Sequence, residues 1–152
     1  MVDCDLRRQN IHHVLGIDSH AGLVDYLVNH RPLSDFIIWP GIEKLTLISG
    51  GRTIQNSTEL LGSKRMKDLV AEMKTRYPER YVLLDTPPVL VGADTLALAP
   101  LVDGIVMVVA EGKTAMREVR KALDILPADK ILGFVMNRQR KGQGAKNGYY
   151  YY

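Results

Sequence analysis

Cysteine is nearly missing from this chain: Cys4 is the only one in 152 residues. A lone thiol closes no internal disulfide, which excludes a disulfide-stapled scaffold and fits a reducing compartment. Long apolar runs are missing as well. None approaches the roughly 18 residues a membrane span needs. Charges from position 3 onward leave no signal-peptide layout in the first 20 residues. A cytosolic chain is expected, with any membrane contact made through a partner. Charge of one sign is also scarce. Lys and Arg number 20 against 17 Asp and Glu, a net +3, which does not argue for nucleic acid. What remains is ordinary globular composition, 46% hydrophobic and 24% charged, which excludes disordered and collagen-like chains.

Short apolar, β-branched runs alternate with longer stretches of helical period. Met1-Val2 run into Asp3 like the end of a strand. Leu45-Thr46-Leu47-Ile48-Ser49 reads as a strand ended by Gly50-Gly51, and Tyr81-Val82-Leu83-Leu84-Asp85 as one ended by Thr86-Pro87-Pro88. Residues 104–110 and 131–136 make two more. Continuous runs of this kind suit strands buried on both faces. The spacing of Leu61, Met66, Leu69, Val70 and Met73 predicts one helix over 58–76, with Ser57 or Thr58 as N-cap and Pro78 as stop. Met116, Val119, Leu123 and Leu126 predict a helix over 114–126, and residues 22–28 a shorter one before Pro32. Residues 36–39 read as a short edge strand. The alternation predicts an α/β fold, a parallel sheet with helices on both faces. After Asn137 the pattern changes. Residues 138–146 are basic and Gly/Gln-rich, and the chain ends in Tyr149, Tyr150, Tyr151 and Tyr152. The expected division is a folded part over 1–137 and a flexible tail over 138–152, with no repeat and no second domain.

In open parallel sheets ligands bind beyond the carboxyl ends of the strands. Two strands here end in acids, at Asp3 and Asp5 and at Asp85. A carboxylate at the end of an apolar strand is costly to desolvate unless a cation or donors meet it. Mg²⁺ bound to a nucleoside triphosphate is a natural cation for that place. The competing reading is that such an acid caps the helix that follows.

Val2-Asp3-Cys4-Asp5-Leu6-Arg7-Arg8 resembles the Walker A′ motif of the bacterial tyrosine kinases of capsule and exopolysaccharide synthesis. Leu83-Leu84-Asp85-Thr86-Pro87-Pro88 resembles their Walker B motif. Residues 57–66, residues 101–109 and the terminal tyrosines are similar to the same family, so the resemblance covers nearly the whole chain. Taken singly, the motifs also fit the wider deviant Walker ATPases that include the MinD and ParA proteins. The family's phosphate loop, G-x-x-x-x-G-K-[ST], does not occur in the chain. Gly112-Lys113-Thr114 has Met107 where the first glycine would stand, and it follows a different strand. The resemblance therefore implies a P-loop NTPase-like fold lacking the N-terminal P-loop unit, a fragment that by itself binds ATP weakly.

What the resemblance implies for the residues is specific. Asp3 and Asp5 are catalytic, with Asp3 orienting or deprotonating the incoming tyrosine hydroxyl. Asp5 and Asp85 hold Mg²⁺. Arg7 and Asn137 serve nucleotide binding, although Asn137 also reads as a strand-end turn residue. Tyr149, Tyr150, Tyr151 and Tyr152 are phosphorylation sites, carried on a tail with a root-mean-square reach of roughly 20 Å. The implied activity is ATP-dependent protein-tyrosine autophosphorylation regulating exopolysaccharide polymerisation and export. The implied partners are a membrane-embedded polysaccharide chain-length regulator, further copies of the chain in a ring with tail exchange, and a cognate phosphatase. This places the chain at the inner face of the membrane. Two other readings stay open: a MinD/ParA-type positioning ATPase, and a non-catalytic truncated interaction module. Arg138, Arg140, Lys141 and Lys146 read as a solvated linker. His12, His13, His20 and His30 show no zinc spacing, and Tyr26, Tyr77 and Tyr81 read as core or surface residues.

Overall fold

The computed structural model describes residues 1–29, 31–76 and 78–139. His30, Tyr77, Arg140, Lys141, Lys146 and the four terminal tyrosines lie outside the described residues. The chain divides into two compact units, Met1–Val102 and Asp103–Tyr152.

The first unit runs β1 (Val2–Asp3), α1 (Ile11–Val14), α2 (Leu23–Asn29), β2 (Ile37–Ile38), β3 (Leu47–Ile48), α3 (Ser57–Leu61), α4 (Lys64–Arg76), β4 (Leu84–Asp85) and α5 (Asp94–Leu98). Its sheet has the order β2-β3-β1-β4. β3, β1 and β4 are parallel, so their carboxyl ends share one edge. The expectation of a parallel sheet holds for these three strands. β2 is the expected edge strand, but it pairs antiparallel with β3. An edge strand reached through a short connection is free to run back along its neighbour.

Central β1 is flanked on both sides, so Val2, Asp3, Cys4 and Leu6 are all buried. Met66, Leu69 and Met73 of α4, at spacings of three and four, bury one helix face in the same core. The opposite face carries the i,i+4 pairs Lys64–Asp68 and Arg76–Glu72. The single helix expected over 58–76 is two. Gly62 ends α3, and the Ser63 hydroxyl accepts the Met66 N–H at 3.2 Å, capping α4 afresh.

At the other side of β1, α2 begins against the end of β3. Leu23 N–H donates to Ser49 O at 2.8 Å and Val24 N–H to Gly50 O at 3.0 Å. Gly22 makes this approach possible. A Cβ there would stand 2.1 Å from Ser49 O and 2.6 Å from Gly51 N.

The second unit contains β5 (Ile105–Ala110), α6 (Met116–Ile125) and β6 (Ile131–Asn137). β5 and β6 form a parallel pair. Val119 and Ala122 of α6 and Leu126 after it are buried, but Met116 is 67% exposed. Met116 opens the helix and has no preceding turn to lie upon. Glu118 instead reaches back to accept the Ala115 N–H at 2.9 Å. Val106, Val108 and Phe134 stay more than half exposed. Burial on both faces, expected from their apolar runs, therefore fails for β5 and β6, a two-stranded pair with one helix to cover it. Gly112, at φ +69°, lies in the turn that joins β5 to α6. Among the described residues no helix is long and apolar enough to cross a membrane.

Candidate active site

Parallel pairing sets β1 and β4 in a register that places Asp3 opposite Asp85. The ladder is held by Val2 N–H to Leu83 O and Cys4 N–H to Asp85 O, both 2.8 Å. Asp5 follows two residues on, and its charge acts on Asp85. The three acids thus gather at the carboxyl edge of the sheet.

Their surroundings differ. Asp3 is fully buried. Its Oδ1 accepts the Asp5 N–H at 3.2 Å and its Oδ2 the Ile11 N–H at 3.4 Å. Burial raises its pKa above the ordinary carboxylate value; these backbone bonds oppose the rise and the Asp85 charge adds to it. Asp85 is raised as well, first by desolvation and then by Asp5. Among the described residues its carboxylate has no hydrogen-bond or ion-pair partner. Asp5 closes a turn: its Oδ1 accepts the Arg7 N–H at 3.3 Å and the Arg8 N–H at 2.9 Å. Its Oδ2 has no hydrogen bond among the described residues. Beside them, burial pushes the Cys4 thiol up, followed by the charges of Asp3 and Asp85. That thiol is inert packing.

Among the described residues no three His, Cys, Asp or Glu side chains could by themselves hold a metal ion. The donor set nonetheless suits Mg²⁺ bound to a nucleotide. That ion takes one or two carboxylates and completes its shell with phosphates and water. Asp5 Oδ2 and the Asp85 carboxylate are the oxygens left for it, and mutual repulsion at this edge is what a cation would relieve.

Arg7, expected at the nucleotide, is anchored inward. Its Nε donates to Ser57 Oγ at 2.8 Å and lies 3.2 Å from Asp94 Oδ2, with the side chain about half exposed. Ser57 and Thr58 do not cap α3. Both hydroxyls donate to Asp94, Ser57 at 2.7 Å. Burial alone would raise Asp94, but these hydroxyls and the Arg7 charge outweigh it and hold the carboxyl below its usual range. Asp94 was missed in the sequence. The signal was there: it is the only charged side chain in residues 89–102. Asn137 ends β6 in the second unit. Its Oδ1 accepts the Arg138 N–H at 2.8 Å, the strand-end turn that was one of its two readings.

Along its sequence the chain is 32% identical to tyrosine-protein kinase YwqD of Bacillus subtilis, over 99% of this chain and 63% of that protein. Its fold matches the kinase domain of Escherichia coli tyrosine kinase ETK with a TM-score of 0.85 at 28% identity, over 99% of this chain and 59% of that one. The crystal structure of the VpsO kinase domain matches with a TM-score of 0.83 at 32% identity, over 91% of this chain and 69% of that one. No family model matches. The chain thus spans a little under two thirds of YwqD's length. With a P-loop NTPase-like α/β fold and paired acids at the carboxyl edge of its parallel strands, it belongs to the bacterial tyrosine kinase family.

Proposed function

We propose that this chain carries the carboxylate half of a protein-tyrosine autokinase site, with Asp5 and Asp85 holding Mg²⁺ and Asp3 serving the incoming tyrosine hydroxyl. The observation that carries the reading is the register of Asp3 against Asp85 at the strand ends, in a chain of this family. Mg²⁺ bound there would supply charge neutralisation at the ATP phosphates. The protein's own groups do the rest. A tyrosine hydroxyl, with a pKa near 10, needs a base close by. Burial raises Asp3 toward that task. Asp3 is buried, so to meet the hydroxyl it would first have to release backbone donors, beginning with the Ile11 N–H at 3.4 Å. Arg7, held by its Nε, would keep its terminal nitrogens for phosphate oxygens.

The acceptors in this proposal are Tyr149, Tyr150, Tyr151 and Tyr152, presented to a neighbouring copy within a ring. Each phosphate would add roughly −1.5 to −2 charges, which repel the acidic edge and release the tail. A membrane-embedded polysaccharide chain-length regulator would bring the kinase to the inner face of the membrane, and a phosphatase would reset it.

A chimera tests the proposal. The part of the ETK kinase domain that precedes the matching region is joined to residues 1–152 and incubated with Mg²⁺ and ATP. Mass spectrometry should find phosphotyrosine within 149–152, absent in the Asp85→Asn chimera. A chimera that binds ATP and leaves all four tyrosines unmodified contradicts it. The missing G-x-x-x-x-G-K-[ST] favours one limit on the reading: residues 1–152 alone bind ATP with a dissociation constant well above micromolar.

A further inference from the structure

Asp94 has no part in the chemistry just described, yet it is 1% exposed, accepts the Ser57 and Thr58 hydroxyls and pairs with Arg7 at 3.2 Å. The two hydroxyls join α3 to α5, and the Arg7 guanidinium supplies the opposite charge that a buried carboxylate needs. The same arginine also reaches the sheet edge. The Arg7 side chain lies on Asp94, while the Arg7 backbone N–H, with that of Arg8, closes the turn on Asp5 Oδ1. Asp94, Arg7 and Asp5 are therefore linked by consecutive contacts, from a buried anchor to a carboxylate at the sheet edge. Among the described residues Arg7 has no side-chain partner beyond Ser57 and Asp94.

We infer that Asp94 is a positioning residue for Asp5: by gripping Arg7 through Nε it fixes the turn in which Asp5 spends Oδ1 on two backbone N–H groups and keeps Oδ2 for a divalent cation. The inference rests on the metal role proposed above. Groups that orient a metal ligand from behind influence affinity without touching the ion.

The test uses the 152-residue chain with Mn²⁺ and excess ATP as probe, read by water-proton relaxation and by hydrogen exchange. Asp94→Asn should weaken Mn²⁺ binding about tenfold. It should also speed exchange at the Arg7 and Arg8 amides, with the Cys4 and Ile48 ladder amides still protected. Thr58→Val removes a donor from the same carboxylate and spares Arg7, so it should leave both readings as in the wild type. If Asp94→Asn fails to fold, Arg7→Gln cuts the link from its other side and should speed exchange at the Arg8 amide equally. Wild-type Mn²⁺ affinity in Asp94→Asn, or equal loss in Thr58→Val, overturns the positioning role alone. A wild-type chain that binds no Mn²⁺ in the presence of ATP overturns the metal reading, and the positioning role with it.

Discussion

Asp3 and Asp85 stand opposite one another on neighbouring parallel strands, and both are pushed toward the protonated form, chiefly by desolvation. An edge built this way is electrostatically uncomfortable without a cation.

Stability should therefore depend on pH with a definite sign. Where burial raises a carboxyl above its unfolded value, the folded state binds the extra proton, so the penalty is fully present at neutral pH and disappears as pH falls through the raised value. Asp85→Asn should raise Tm at pH 7 by about 1–3 °C, a small gain because water screens this side chain. The gain should vanish below about pH 4. Thermal unfolding at both pH values checks it, and a lower Tm at pH 7 contradicts it.

Asp94 has the opposite sign. Its carboxyl is held low, so its contribution is complete above the ordinary carboxylate range and is lost as pH falls through the lowered value. Asp94→Ala strands the Ser57 and Thr58 hydroxyls and half-exposed Arg7. It should cost about 2–3 kcal/mol in urea unfolding at pH 7.

Close approach makes Gly22 intolerant. In Gly22→Ala the methyl meets backbone atoms of Ser49 and Gly51, which have nowhere to go. A loss of about 2 kcal/mol is expected, read as a lower midpoint in urea with an unchanged slope.

The start of α4 offers a milder test. Ser63→Ala removes the hydroxyl that accepts the Met66 N–H. Stability should fall by about 1 kcal/mol, without effect on Mn²⁺ binding.

The carboxylate edge was legible in the sequence because its signal is local: an apolar run that ends in an acid says which strand end it occupies, and two such runs in a parallel sheet share an edge. Asp94 was not legible in the same way. Its meaning lies in partners 36 and 37 residues away and in Arg7, which no periodicity connects. A hydroxyl at a helix start usually serves the helix, so Ser57 or Thr58 reads as a cap, and here a buried carboxylate competes for both. The antiparallel run of β2 was hidden because two residues carry no direction. Gly62-Ser63 was a readable stop and restart, overridden by the apolar spacing on either side. Asn137 and the second unit show the limit of reading strands as doubly buried: Val106 and Val108 are as apolar as a core strand and still exposed.

The most direct measurement of the central claim is paramagnetic broadening of the ¹⁵N-labelled chain by Mn²⁺ with ATP, which registers even weak binding. Resonances at Asp3, Asp5 and Asp85 should vanish first, and Asp5→Asn and Asp85→Asn should each cancel the effect. Broadening centred on exposed acids such as Glu43 or Asp68, or unchanged by those two substitutions, would contradict the account.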